Sequence, residues 1–159
     1  MRDKLQEALK ALPHGPEFRF LDRLVSLDPG KSGVSEYKVR GDEYYLRGHL
    51  PGEPILPGVL LVEAGAQLAG VVAQNDPRIL PLKRLKLTAM RGVKIIGSAQ
   101  PGETLLLEAT IIGRLGPLIQ ARVSASVAGV SVMSGEFTLS GTTPENPAKT
   151  PTPTPGSSR

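Results

Sequence analysis

Hydrophobic positions along the chain follow two periods. Leu5, Ala8, Leu9 and Leu12 recur at helical spacing and predict a short amphipathic helix over Arg2–Leu12, stopped by Pro13. From Pro57 to Asn75 the apolar run is nearly continuous and predicts the one long helix. Pro57 suits its first turn, where a missing N–H costs nothing. Gly58, Ala64, Gly65, Ala66, Ala69, Gly70 and Ala73 make this helix rich in small residues. Glycine lowers helix propensity, so that composition suits a helix with a sheet or another backbone packed very close. The other period is two. Phe18–Leu27, closed by Asp28-Pro29-Gly30, and Gly33–Arg40 predict strands, and Gly41–Pro57 predicts a loop. Four further runs follow, over Arg84–Ser98, Thr104–Arg114, Leu118–Ala128 and Val130–Leu139. Val123, Ala125 and Val127 alternate with Arg122, Ser124 and Ser126, as a sheet with one covered face requires. The expected fold class is α+β, an antiparallel sheet of about six strands wrapped around one long central helix.

The chain has 159 residues, of which 40% are hydrophobic, enough for one domain with a real core. Residues 1–140 are expected to form that domain. Residues 141–159 carry Thr-Pro-Thr-Pro-Thr-Pro-Gly-Ser-Ser, with nothing to bury, and are expected to be a disordered tail. Met1–Lys10 is mostly charged and polar, unlike a signal peptide, and Glu63 and Gln67 interrupt the longest apolar run. The expectation is a soluble, cytoplasmic protein with no membrane role. There is no cysteine, and the two histidines, His14 and His49, do not make a metal site, so no metal is expected. Net charge is +4, which is either a modestly basic surface that means little or a face that steers in an acidic partner. Nucleic acid is not expected: aromatics are 4% and no basic cluster interleaves with them.

Candidate chemistry concentrates between Gly48 and Gln67. Glu63 breaks the apolar helix, and a carboxylate in such a setting is costly unless paired. Burial favours its protonated form, which is what a general acid needs. Gln67 lies one turn later on the same face, able to orient it. His49 is held on a backbone restricted by Pro51, Gly52, Pro54, Pro57 and Gly58. Gly58 and Val59 place free amides at the helix start, suited to a developing oxyanion. A base, an acid and an oxyanion site together suit proton abstraction beside a thioester carbonyl with loss of a β-hydroxyl. His14, in a Pro/Gly-rich turn, is expected to play a structural hydrogen-bonding role. Tyr44 and Tyr45 are expected to anchor the loop or line a tunnel. Lys83, Arg84, Lys86, Arg91 and Lys94 are either a solvated sheet face or a docking patch.

The stretch Gly48-His49-Leu50-Pro51-Gly52-Glu53-Pro54-Ile55-Leu56-Pro57-Gly58-Val59-Leu60, continuing through Glu63-Ala64-Gly65-Ala66-Gln67, resembles the FabZ-type β-hydroxyacyl-acyl-carrier-protein dehydratases of the hotdog superfamily. Leu12-Pro13-His14, Asp22-Arg23 and Gln100-Pro101-Gly102-Glu103-Thr104-Leu105 extend the resemblance over about residues 12 to 140. It implies a hotdog fold and a homodimer or trimer of dimers, with His from one subunit and Glu from the other in each site. Carried over, His49 abstracts the α-proton, Glu63 protonates the departing hydroxyl, and the Gly58 and Val59 amides polarise the carbonyl. The substrate arrives on acyl-carrier protein, and no cofactor is implied. Glutamate rather than aspartate as the acid points to the FabZ-like and not the FabA-like dehydratase/isomerase branch.

Several positions depart from the family pattern. Leu50 replaces Phe and Leu56 replaces Met. Gly65 stands where a bulkier Met or Leu is usual, which should enlarge the acyl tunnel. Gly15 and the Gly97-Ser98 pair stand where basic residues usually meet the carrier. These features describe a divergent member, serving fatty-acid or related lipid or polyketide synthesis. Two other readings stay open: a hotdog hydratase or thioesterase acting on acyl-coenzyme A, and a non-catalytic acyl-binding hotdog protein. The His49/Glu63 pair argues against the second, and Gly15 and Gly97 argue for it.

Overall fold

A computed structural model describes residues 2–144. Its elements in chain order are α1 (Arg2–Leu9), β1 (Arg23–Asp28), β2 (Ser32–Lys38), α2 (Tyr44–His49), α3 (Gly58–Gln74), β3 (Lys83–Ile95), β4 (Thr104–Leu115), β5 (Leu118–Val127) and β6 (Val130–Thr142). The six strands form one sheet in the order β1-β2-β4-β5-β6-β3, every pair antiparallel. The β4–β5 and β5–β6 hairpins follow directly from Leu115-Gly116-Pro117 and Ala128-Gly129. Gly116 and Gly129 both take positive φ there, a conformation that glycine adopts without steric cost.

α3 lies in the concavity of the sheet and packs on β2 through β6. Leu61, Leu68 and Val72 are fully buried, as are Leu105, Leu107, Ile119 and Met133 facing them. Burying each such side chain stabilises the fold by about 1.5–3 kcal/mol before entropy is counted. β5 buries Ile119, Ala121, Val123 and Ala125 and turns Gln120 and Arg122 outward, so one face of the sheet is core and the other solvent. This is the expected sheet-around-helix arrangement.

The sequence pattern and the structure differ in five places. α1 ends at Leu9, before Pro13. The strand expected over Phe18–Leu27 begins only at Arg23, after a 3-10 turn at Pro16–Phe18. Phe20 and Leu21 are buried without belonging to a strand; a side chain from α3 takes the Phe20 amide and the Phe18 carbonyl in place of a ladder. The expected loop before α3 contains α2, seated by Leu46, 2% exposed, and by Glu43, whose carboxylate accepts the Arg40 and Gly41 amides. Pro57 caps α3 rather than opening it, its carbonyl accepting Leu60 N–H at 2.8 Å. β6 runs on through Thr142, into the segment expected as tail; the rest of that segment, from residue 145, lies outside the described residues. No helix among the described residues is long and apolar enough to cross a membrane.

Candidate functional site

Glu63 projects from the second turn of α3 beside a cavity of about 310 Å³. The cavity lies between α3, the Ala11–His14 segment and the start of β3. The Glu63 side chain is 27% exposed, so the full burial expected for it is not met in the single chain. Its Oε1 accepts a hydrogen bond from Gln67 Nε2 at 3.1 Å and lies 3.2 Å from His14 Nε2. Its Oε2 has no partner among the described residues, which leaves one carboxylate oxygen free.

Gln67 is 2% exposed and its orientation is fixed by its neighbours. Oε1 accepts the Phe20 amide at 2.9 Å, and Nε2 donates to the Phe18 carbonyl at 2.8 Å as well as to Glu63. A backbone N–H can only donate and a carbonyl can only accept, so this pattern sets which end of the amide is oxygen. One glutamine thus pins the irregular 18–20 segment to α3 and presents an N–H to Glu63.

The same segment positions His14. Arg19 Nε donates to the His14 carbonyl at 2.8 Å, and the imidazole stacks on Phe18 with centroids 6.1 Å apart. Its Nδ1 is buried without a partner. An unpaired lone pair is the cheaper state there, which places the ring proton on Nε2, toward Glu63. The contact with the carboxylate was not foreseen in the sequence. The signal was present in Leu12-Pro13-His14, but only the tertiary path of residues 16–22 turns the ring onto α3.

His49 ends α2 and is exposed. No hydrogen bond or ion pair joins it to Glu63 among the described residues, and it does not line the cavity at Glu63. The single chain therefore brings together Glu63, Gln67 and His14, and leaves His49 outside that cluster. The aromatic groups behind α2 are tightly joined. Tyr37 and Tyr45 share a 2.6 Å hydroxyl contact, and Tyr37 donates to Glu43 Oε1 at 3.2 Å. Burial first, then the Tyr45 contact, pushes the Tyr37 hydroxyl far above its ordinary pKa. Tyr45 thus anchors α2, whereas Tyr44 is 58% exposed.

The start of α3 supplies the amides. Neither Gly58 nor Val59 N–H has an acceptor among the described residues. Val59 is 72% exposed, so the amides open to solvent at the positive end of the helix.

Two of the departures acquire a physical reading. A Cβ on Gly65 would lie 2.4 Å from Val123 Cγ1 and 3.2 Å from Phe137 Cε2. The glycine lets α3 press onto β5 and β6 and opens no tunnel, which corrects the expectation for it. A Cβ on Gly97 would lie 2.8 Å from Val132 Cγ1, so a long side chain does not fit there without a shift of β6. Of the basic positions, Arg91 and Arg122 both pair with Glu136, at 2.6 and 3.3 Å. Lys83, Arg84, Lys86 and Lys94 are exposed and unpaired among the described residues. No group of three or more His, Asp or Glu able to hold a metal ion occurs among them either.

A family model for the FabA-like domain matches residues 12–136. The 3-hydroxyacyl-[acyl-carrier-protein] dehydratase FabZ of Ruminiclostridium cellulolyticum is 38% identical over 136 residues, covering 83% of this chain and 92% of that protein. The protein of the same name from Myxococcus xanthus is 33% identical over 132 residues, covering 82% of this chain and 86% of its own. Among solved structures, a chain of the dehydratase heterocomplex ApeI:P from Xenorhabdus doucetiae superposes with a TM-score of 0.71 at 17% identity, over 89% of this chain and 93% of that one. Zebra fish thioesterase superfamily member 2 gives 0.66 at 18%, over 87% and 96%. At those identities the structural likeness is one of fold. The sequence likeness goes further, running from before His14 to the end of the hairpins and across nearly the whole of the curated dehydratases, and by it the chain belongs to the FabA-like domain family, among the FabZ-type dehydratases.

Proposed function

We propose that the protein is a 3-hydroxyacyl-[acyl-carrier-protein] dehydratase of fatty-acid biosynthesis, and that His49 and Glu63 carry its chemistry. It removes water from β-hydroxyacyl thioesters to give trans-2-enoyl thioesters. The observation that carries the site assignment is Glu63, a helix carboxylate with one oxygen held by Gln67 and His14 and the other free beside a cavity. His49 takes the α-proton, and the electron pair moves toward the thioester carbonyl, whose oxygen the Gly58 and Val59 amides receive. Glu63 gives its proton to the β-hydroxyl, the C–O bond breaks, and water leaves as the double bond forms. Gln67 and His14 are positioning residues for Glu63.

The separation of His49 from Glu63 supports a site shared between two subunits. β3 is a thirteen-residue edge strand with no neighbour on its outer side among the described residues. Met90, Ile95 and Ile96 are 54%, 46% and 69% exposed along it, and Val59 stands beside them, since Gly58 packs on Ile95. These exposed apolar side chains sit on an edge strand otherwise rich in lysine and arginine, and a homodimer through β3 covers them. Whether dimers assemble further is a matter for sizing in solution. The carrier protein is the acidic partner that a chain of net charge +4 attracts, with Lys83, Arg84, Lys86 and Lys94 as the free cations.

Ultraviolet absorbance of the enoyl thioester tests this directly, with substrates on carrier protein and on coenzyme A in separate assays. His49→Ala and Glu63→Gln should each lower turnover by about 10²–10⁴-fold, the usual contribution of a positioned acid or base. Turnover on coenzyme A but not on the carrier would move the protein to the hydratase reading. No turnover on either, from a folded oligomer, would leave an acyl-binding scaffold.

A further inference from the structure

Within one chain, His49 is held from two directions. Behind it, α2 is seated by Leu46, three positions earlier and 2% exposed. Ahead of it, residues 50–54 are exposed, and the chain next enters the core at Leu56, whose N–H donates to the Ala99 carbonyl at 2.8 Å. A Cβ on Gly48 or on Gly52 would have no neighbour within 4 Å, so the backbone on either side of the histidine is open there. The direction of the imidazole is therefore set by α2. A single buried leucine fixes how deep a short helix lies, but not its roll about its own axis. A second contact, off that line, is needed to stop the roll.

Tyr45 supplies it. It lies about 100° around the helix from Leu46 and one turn before His49, on the face that carries the histidine. Its hydroxyl meets that of Tyr37 at 2.6 Å, and Tyr37 donates to Glu43 Oε1 at 3.2 Å. A phenol has one proton to give. Tyr37 gives its proton to Glu43, so Tyr45 is the donor between the two rings. Glu43 is fixed in turn by the Arg40 amide at 2.8 Å on Oε1 and the Gly41 amide at 2.6 Å on Oε2. Tyr37 belongs to β2 and is 3% exposed, so the hydroxyl chain ties α2 to the sheet. Phe20 backs both rings, with centroids 5.6 Å from Tyr37 and 5.7 Å from Tyr45. The rings alone would fill this part of the core. Burying hydroxyls adds nothing to packing, and they are tolerated only when paired.

We propose that the Tyr45–Tyr37–Glu43 hydrogen-bond chain positions His49, by fixing the roll of α2 and with it the direction of the imidazole. All three are positioning residues that act through His49. The inference rests on the reading above, in which His49 takes the α-proton. It adds what holds that base in line.

The test uses the full-length protein with Tyr37→Phe, Tyr45→Phe and the double variant, each of which keeps its ring and loses only a hydroxyl. Misplacing a catalytic group by about 1 Å can cost about 100-fold, and a small roll of α2 should cost less. In Tyr37→Phe kcat should fall about tenfold, with KM within about twofold of wild type. Tyr45→Phe should lower kcat by a similar or smaller factor. The double variant should lose no more than Tyr37→Phe alone, because the two hydroxyls act as one chain. The chain has two histidines, so the imidazole resonances of nitrogen-labelled protein report on His49 directly, and His49→Ala assigns them. In both single variants the His49 resonances should broaden or split while those of His14 stay. A merely structural role would lower the melting temperature and leave kcat and the His49 resonances of the folded protein as they are. Wild-type kcat, unchanged His49 resonances, or independent losses that multiply in the double variant would each overturn the proposal, and the dehydratase reading would stand. Full activity in His49→Ala would remove His49 as the base, and this proposal with it.

Discussion

Gln67 shows what one side chain contributes at this site. Its amide serves three partners at once: the Phe20 N–H, the Phe18 carbonyl and the Glu63 carboxylate. Gln67→Ala strands the buried Phe20 amide, which costs about 1–3 kcal/mol when left unpaired, and leaves the Phe18 carbonyl to water. The variant should lose roughly 1–3 kcal/mol in chemical denaturation. It should also lose kcat by a larger factor than it raises KM, because the carboxylate loses one of its two holders while the cavity walls stay. A fall in stability with kcat untouched would deny Gln67 any part in positioning Glu63. The contact between Glu63 and Gln67 is legible in the sequence because each is polar where the pattern calls for an apolar residue, one helical turn apart. His14 is not. Its approach to Glu63 depends on how residues 16–22 cross α3, and no periodicity encodes that crossing. Gly65 misleads for a related reason: a missing side chain reads as open space, whereas Val123 occupies it.

At the level of elements, the C-terminal end of α3 is tied down by a charge pair. Asp76 is 5% exposed and takes Arg78 through both oxygens, from Nε at 2.9 Å and from a terminal nitrogen at 3.0 Å. A carboxylate near the negative end of a helix is poorly placed unless a cation offsets it. The Arg78 side chain, and then its backbone N–H, hold the Asp76 carboxyl down at about 2, against an ordinary 3.8. A depressed folded-state value means that the contribution is complete above the unfolded value and is lost as pH falls through the folded one. Asp76→Asn should therefore melt below wild type at pH values above about 4, with the gap closing as pH approaches about 2. Melting curves across that range check it, and a gap independent of pH would assign the loss to packing instead. The long elements themselves are legible: β3 to β6 announce themselves by alternation and by their glycine turns, and α3 by Pro57 and its apolar run. α2 is hidden because six residues are too few to display a helical period, and its seat is Leu46 in the core and the Glu43 carboxylate on the Arg40 and Gly41 amides. The 18–22 segment has a strand-like composition, yet Gln67 replaces the ladder there.

For the whole molecule, the decisive feature is that one chain holds Glu63 with its two supporting side chains and leaves His49 outside that cluster, while the thirteen-residue edge strand β3 exposes Met90 and Ile95. On the proposed reading, pairing through that edge would give two equivalent sites related by a two-fold axis, each taking His49 from one protomer and Glu63 from the other. Such a site can be rebuilt from two broken proteins. His49→Ala and Glu63→Gln are each expected to be nearly inactive alone. When the two are unfolded together and refolded, or co-expressed, random pairing makes about half of the dimers mixed. Every mixed dimer has one site with both groups lost and one with both intact, so turnover should return to about a quarter of wild type. A site built inside a single chain predicts no recovery at all, because every protomer in the mixture lacks one group. Introducing a charge on the edge, as in Ile96→Asp, should shift the protein toward monomer in sedimentation and lower turnover in parallel with the loss of dimer. Full activity in a confirmed monomer would require His49 and Glu63 to meet within one chain, through a movement of α2 that its Tyr37–Tyr45–Glu43 anchorage opposes.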